Sequence, residues 1–415
     1  MVHWFHLFMP QTIKEHVRRV VPETAIRTLW HAPRAWMFAA AKGLPGRRLT
    51  VIAIAGTKGK TTTAYVTAEL LRAAGHRVAL LSTAAIRIAD DETLNPYKMT
   101  SPSPQIVQKF FRDAVTAQCT YAVVEVSSHA ITQYRFAGVP FSYAIITNLA
   151  SDHLEYHATT KEYQEVHRRL VTKSLKALVV NGDDPNCEVV RGLARNERIY
   201  EAGDEIAKKM QELELSLPGE YNFRNMHAAA TLADELQVPW SVVSKALQGE
   251  ITVPGRFERI TAENGVTAIV DYAHSPESLE AFFAAAAPLK GKGKLITVYG
   301  ACGERDPQVR PAMGASIDRW SDVVIVTNDD PYGEDPEAIA EQVISGIANK
   351  HWEDTLFKML DRREAISHAL RIAGKNDLVV VLGKGSEQYQ VIGTVRRPWD
   401  DREVVREEGA RLARA

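Results

Sequence analysis

Six uncharged residues, Thr50-Val-Ile-Ala-Ile-Ala55, run straight into Gly56-Thr-Lys-Gly-Lys-Thr-Thr62, and a helical pattern then spans 61–74. That order constrains the fold more than any other feature of the chain. A strand so apolar must be covered on both faces, and it has to turn at a glycine into a helix. Short runs rich in β-branched residues recur at 77–82, 121–126, 143–147 and 177–180, with helical stretches between them, and helices near 226–236 and 241–247 follow. Strands alternating with helices predict an α/β fold with a mostly parallel sheet. A second alternation starts after Pro254-Gly255, the expected hinge, with strands at 267–270, 294–299, 323–327 and 378–382 and helices at 276–287 and 311–319. A chain of 415 residues is also too long for one compact core.

The turn at 56–62 has a chemical reading as well. Backbone N–H groups of a glycine-rich turn and the N-terminus of the following helix face an anion together. Lys60 reaches terminal phosphates and the Thr61 hydroxyl can hold Mg²⁺, so Gly56, Thr57, Lys58, Gly59, Lys60, Thr61 and Thr62 form a candidate phosphate loop. Ile54 stands where the commoner form of this loop has its first glycine. Nucleotide binding is implied; the reaction is not.

Charge and cysteines narrow the setting. Formal net charge is −1, with 24% charged residues, which gives no bulk attraction to nucleic acid. Cys119, Cys187 and Cys302 are widely spaced and odd in number, so neither a disulfide framework nor a zinc pattern is expected, and a cytoplasmic setting is. No uncharged apolar run reaches the length of a membrane span, and the short apolar start, 1–9, lacks the features of an export signal. Residues 1–48 carry Lys14, Arg18, Arg19, Arg27, Arg34, Lys42, Arg47 and Arg48, with Trp4, Phe5, Phe8, Trp30, Trp36 and Phe38 interleaved. This arm reads as a helix packed on the body, or as a peripheral membrane or partner contact.

Two further segments end buried strands. Glu125-Val-Ser-Ser-His-Ala130 is followed by Gln133-Tyr-Arg135, and Thr147-Asn-Leu-Ala-Ser-Asp-His-Leu154 closes the next strand. A carboxylate (Glu125) and an imidazole (His153) at neighbouring strand ends suit Mg²⁺ shared with phosphate oxygens. Together with Lys60 these segments resemble the Mur ligases, the amide ligases of peptidoglycan synthesis, from about residue 49 to the C-terminus. The likeness is greatest to the branch that adds the third amino acid to UDP-N-acetylmuramoyl-L-alanyl-D-glutamate.

The resemblance implies a P-loop ATPase-like central domain over 49–253 and a C-terminal Rossmann-like α/β domain over 254–415; the short helical arm over 1–48 stands outside it. It implies catalytic roles for Lys60, Glu125 and His153, with Thr61, Glu125 and His153 around Mg²⁺. ATP contacts carry over to Asn148, to Asn222 and Asn225 in Leu217-Pro-Gly-Glu-Tyr-Asn-Phe-Arg-Asn225, to Arg256, and to Asp271 and His274 in Asp271-Tyr-Ala-His274. Thr100, Ser101, Ser127, Gln133 and Arg135 fall where the family holds its muramoyl peptide. Arg305, Asp329, Asp330, Tyr332, Gly383 and Glu387 fall where it holds the incoming amino acid. The expected reaction makes an acyl phosphate from ATP and a carboxylate, which an amine then attacks; a monomer is expected.

This chain departs from the family in three places. His167 stands where a carbamylated lysine helps bind a second Mg²⁺; it cannot form that carbamate, and is expected on a helix surface or in a structural role, with a weak metal ligand as the alternative. Asn328-Asp-Asp-Pro-Tyr332 replaces an Asp-Asp-Asn-Pro-Arg run, so a guanidinium clamp is lost and an acid, Asp330, is gained. That acid favours an ammonium, hence a diamino acid, unless it only caps the following turn. Only the basic arm stands before the phosphate loop, where the family carries a UDP-binding domain. A ligase on a folylpolyglutamate-like acceptor and a non-catalytic nucleotide-binding partner are the competing readings.

Overall fold

The structure, a computed structural model, describes residues 30–150, 156–157 and 159–414. Its contacts separate two compact units, one made of residues up to 92, 99–208 and 228–243, the other of 93–98, 209–227 and 244–415.

An eight-stranded sheet forms the first unit's centre. Its strands are β1 (Thr50–Ala55), β2 (Val78–Leu81), β3 (Ala85–Ile88), β4 (Asp91–Leu94), β5 (Tyr121–Glu125), β6 (Phe141–Ile146), β7 (Ala177–Asn181) and β8 (Glu197–Tyr200), in the order β4-β3-β2-β5-β1-β6-β7-β8. All the pairings from β2 to β8 are parallel, while β3 turns back antiparallel on β2. Both faces of β1 are buried, so its run of Val, Ile and Ala needs no polar alternation. Register places Ile54 opposite Glu125 and Ala55 opposite Ile146. The phosphate loop, Glu125 and Thr147-Asn148 therefore leave one edge of the sheet together.

Around this sheet stand α1 (Ala32–Ala41), α2 (Lys60–Ala73), α3 (Pro104–Thr116), α4 (Ser128–Thr132) and α5 (Thr160–Arg168). The end of the arm packs on the unit: a Cβ at Gly138 would meet Leu44 at 2.7 Å and Ala39 at 3.1 Å. Trp36 is half exposed at 49%. The arm's earlier residues, including Trp4, Phe5, Phe8 and most of its cations, lie outside the described residues. Among the described residues no helix is long and apolar enough to cross a membrane.

In the second unit β9 (Glu258–Thr261), β10 (Thr267–Asp271), β11 (Leu295–Tyr299), β12 (Val323–Val326), β13 (Leu356–Lys358) and β14 (Leu378–Leu382) take the order β13-β12-β11-β14-β10-β9. Only β9 is antiparallel. Successive residues serve two cores: Ile269, Tyr299, Val326 and Leu382 pack on one side, and Val270, Val298, Ile325 and Val381 on the other. Asp271, Tyr299 and Leu382 share one register level, so the loops after β10, β11, β12 and β14 open at the same edge. The Pro254-Gly255 turn lies within this unit, and a Cβ at Gly255 would stand 2.1 Å from the Ser386 nitrogen.

Several elements differ from their sequence-based expectation. The helix expected near 226–236 begins at Glu220 as α7 (Glu220–Glu235), after α6 (Glu205–Gln211). The edge strands β4, β8, β9 and β13 are short or charged, and a hairpin of β15 (Tyr389–Ile392) and β16 (Val395–Pro398) turns at Gly393. A C-terminal helix, Asp401–Ala413, starts at Asp400, whose side chain accepts from the Arg402 N–H.

Candidate active site

The phosphate loop is set by backbone conformation. Gly56 has φ 133°, and a Cβ there would stand 2.2 Å from Thr147 Oγ1 and 2.8 Å from the Asn148 carbonyl oxygen. Gly59 opens α2 in the left-handed region at φ 82°, where a side chain is strained. Asn148 clasps the loop from β6: its Oδ1 accepts from the Lys58 N–H at 2.9 Å, and its Nδ2 donates to the Lys58 carbonyl at 3.0 Å. Thr147 Oγ1 donates to the same carbonyl at 2.7 Å. Lys60 Nζ donates to the carbonyls of Gly56 and Thr57 at 2.8 and 2.7 Å, so its charge lies over the turn. Thr61 and Thr62 are buried in the first turn of α2.

Beside the loop, the fully buried Glu125 carboxylate accepts from the Thr83 N–H at 2.8 Å and the Thr83 hydroxyl at 2.9 Å. Thr83 Oγ1 also lies 3.0 Å from Thr100 Oγ1. Ser101 Oγ donates to the Glu125 carbonyl at 2.9 Å and accepts from the Ser127 N–H at 3.2 Å. Arg135 bonds the Ser101 carbonyl and reaches Gln133 Oε1 at 2.8 and 3.1 Å, while Gln133 Nε2 meets the Tyr156 hydroxyl at 3.5 Å. Thr100, Ser101, Ser127, Gln133 and Arg135 thus form one polar strip joined to Glu125. His153 and its neighbour Asp152 lie outside the described residues.

His167 is not on the surface of its helix. Its ring is fully buried, 4.6 Å from the Tyr163 ring, with Nδ1 2.9 Å from the Tyr163 carbonyl. It is buried on this short helix together with Tyr163 and Val166. Tyr163, which sequence reading missed, places its hydroxyl 3.0 Å from Thr57 Oγ1, which also bonds the Ala150 carbonyl at 2.9 Å.

In the second unit Asp271 ends β10 almost buried, accepting from the Phe257 N–H at 2.7 Å and the Ala273 N–H at 2.7 Å. Burial pushes its carboxyl above the usual range, against the pull of Arg256 and those N–H groups. The Arg256 guanidinium sits 4.2 Å from the centre of the Tyr272 ring. His274 Nδ1 is 2.7 Å from the Tyr272 carbonyl. Asn222 and Asn225 are buried one turn apart on α7, and Asn222 Nδ2 donates to the Pro218 carbonyl at 2.9 Å.

The loops after β12 and β14 meet. Lys384, fully buried, donates to Asp329 at 3.2 Å, Asp330 at 2.8 Å and Glu387 at 3.0 Å. Asp330 does not act as a mere turn cap. It also accepts from the Val391 N–H at 2.8 Å and bonds Lys98. Burial alone would raise its carboxyl, but the Lys384 charge and the hydrogen bonds of Lys384 and Lys98 hold it below the ordinary range. Gly383 has φ 110°, and a Cβ there would come within 2.7 Å of Asp329 Oδ2. Tyr332 is half-buried with φ 50°, whereas Arg305 is exposed. Neither Lys98 nor Lys384 was anticipated as a partner of these acids.

A parallel sheet whose central strand feeds a glycine turn and a lysine-led helix defines a phosphate-loop nucleotide-binding protein. Comparison with known proteins narrows this class. Residues 54–209 match the Mur ligase middle domain and residues 255–385 the Mur ligase glutamate ligase domain. A UDP-N-acetylmuramoyl-L-alanyl-D-glutamate–2,6-diaminopimelate ligase of Clostridium botulinum is 35% identical over 88% of this chain and 79% of its own length. A UDP-N-acetylmuramyl-tripeptide synthetase of Roseiflexus is 33% identical over 95% and 87%. A solved structure of a UDP-N-acetylmuramoyl-L-alanyl-D-glutamate–2,6-diaminopimelate ligase superposes with a TM-score of 0.62 at 29% identity, covering 93% of this chain and 83% of that one. Folylpolyglutamate synthase of Thermotoga maritima, at 19% identity and a TM-score of 0.65 over 85% and 90%, shares the fold. The chain belongs to the Mur ligase family, and it is an amide-forming ligase.

Proposed function

We propose that this ligase uses ATP to join an amino acid, a diamino acid on this reading, to a carboxylate of UDP-N-acetylmuramoyl-L-alanyl-D-glutamate or a related muramoyl peptide in peptidoglycan synthesis. The observation that carries it is the shared sheet edge: the phosphate loop and Glu125 leave β1 and β5 at one level, and the polar strip from Thr100 to Arg135 is hydrogen-bonded to Glu125. The cradle fits a phosphate chain: Gly56 lets the turn close on Thr147 and Asn148, and Gly59 opens α2 at φ 82°, which leaves the backbone N–H groups of the helix start to face an anion. Hard oxygen donors at Thr61 and Glu125 fit Mg²⁺, with His153 as a further ligand. Bound there, Mg²⁺ offsets charge on the phosphate oxygens.

On this reading Lys60 holds the terminal phosphate, and Ser101, Ser127, Gln133 and Arg135 orient the acceptor. A carboxylate oxygen forms a bond to the γ-phosphorus as the bond to the β-phosphate oxygen breaks, releasing ADP and leaving an acyl phosphate. The amine then forms the C–N bond, the C–O bond to phosphate breaks, and the amine's proton leaves. Asn222, Asn225, Arg256, Asp271 and His274 are nucleotide contacts on the same reading. Arg305, Asp329, Asp330, Tyr332, Gly383 and Glu387 surround the amino acid.

The test is phosphate release from ATP and Mg²⁺ with UDP-muramoyl dipeptide and a panel of amino acids, using Lys60→Ala as control. Turnover dependent on one amino acid, abolished by Lys60→Ala, is expected. Turnover confined to folate-type acceptors, or none with any acceptor, would sink the proposal. Peripheral membrane contact through the basic arm is part of the same proposal, and an absence of binding to anionic liposomes removes it.

A further inference from the structure

The acids expected to read a substrate's distal ammonium already hold one. Lys98 belongs to the segment 93–98 of the second unit, and its Nζ bonds Asp330 and lies 2.8 Å from Glu387 Oε2. The same nitrogen stands 5.2 Å from the centre of the Tyr389 ring and 5.9 Å from that of Tyr332. Two carboxylates and two aromatic faces are the surroundings an ammonium favours.

The two lysines here are not equivalent. Lys384 is fully buried and spans all three acids, so it is part of the floor. The Lys98 side chain remains 22% exposed, and its backbone lies in the left-handed region at φ 48°. If Lys98 swings out, Asp330 keeps Lys384 and the Val391 N–H, and Glu387 keeps Lys384. What remains is three carboxylates against one ammonium, a preformed seat for a second cation.

We propose that Lys98 is a specificity-determining occupant of the amino-acid pocket, its ammonium filling the seat for the distal ammonium of a diamino acid until the substrate displaces it. A tethered group competes at an effective concentration of order millimolar. A simple amine therefore competes poorly. A diamino acid whose α-amino and carboxylate groups are held elsewhere in the pocket delivers its own ammonium with the same advantage. The inference rests on the amino-acid role given above to Asp330 and Glu387.

Calorimetric titration of the full chain with L-lysine, diaminopimelate and norleucine tests this without turnover. Lys98→Met keeps the apolar stem and removes the charge; Lys98→Ala is a second variant should the first unfold. Emptying the seat raises the binding-competent fraction, so the diamino acids should bind at least about tenfold more tightly to either variant. Affinity for norleucine, which lacks the distal ammonium, and for ADP should stay within about twofold. Unchanged or weaker diamino-acid binding in both variants overturns the proposal, as does an equal gain for norleucine, which would show only a widened pocket. Phosphate release run in parallel separates the two claims. Tighter binding without turnover leaves Lys98 as occupant and removes the muramoyl-peptide reading; turnover with binding unmoved does the reverse.

Discussion

At the scale of single residues, the nucleotide end depends on backbone space and the amino-acid end on charge. Gly56→Ala forces a Cβ against Thr147 and Asn148 at a φ that L residues avoid. Backbone strain of about 1–3 kcal/mol predicts a roughly 5- to 150-fold loss of ATP affinity, read by calorimetry. Asp330 gives a pH prediction. Its carboxyl is depressed in the folded state, so its stabilisation is complete above the ordinary aspartate value and is lost as pH falls through the folded value. The urea midpoint should therefore drop below about pH 4, and Asp330→Asn should flatten that drop. The glycines, Lys60 and Glu125 were legible in the sequence because a strand and a helix fix their places locally. Thr83, Tyr163 and Lys98 were not. Their partners are Glu125, Thr57 and Asp330, distant in sequence, and a lone Thr, Tyr or Lys carries no local sign of such a pairing.

Among the elements, helix α5 fixes the phosphate loop through one hydroxyl. Tyr163→Phe leaves Thr57 Oγ1 without that partner, which should cost about 1 kcal/mol and weaken ADP binding about fivefold. Unchanged ADP affinity would show that Thr147 and Asn148 hold the turn without it. The long β-branched strands were readable because burial on both faces makes them continuous apolar runs. Edge strands such as β4, Asp91-Glu-Thr-Leu94, were not, since half their residues face solvent and carry charge. The C-terminal helix, Asp401–Ala413, also escaped notice, because salt bridges such as Arg406–Glu403 and Arg411–Glu408 lace its exposed face and leave a weak apolar stripe.

The whole molecule has separate cores in its two units, so thermal unfolding should show two calorimetric transitions. One pair of residues decides which unit is which. Arg362 and Asp401 are both fully buried and joined by two 2.7 Å hydrogen bonds, and Trp399 Nε1 donates to the same carboxylate at 2.8 Å. Arg362→Ala leaves that carboxylate uncompensated and should cost about 3–5 kcal/mol, lowering one transition only. A shift of both would mean that the units unfold as one.

The same guanidinium donates to the carbonyls of Asn328 at 3.1 Å and Leu382 at 2.9 Å, where the two amino-acid loops begin. It grips main chain, which every residue possesses, so the loop starts stay anchored when a half-buried side chain such as Tyr332 is exchanged, while Gly383, Lys384 and Asp330 remain tied to one another. A lineage could retune the amine it accepts by changing a few loop side chains, and the departures at Asp330 and Tyr332 are what such drift would leave behind.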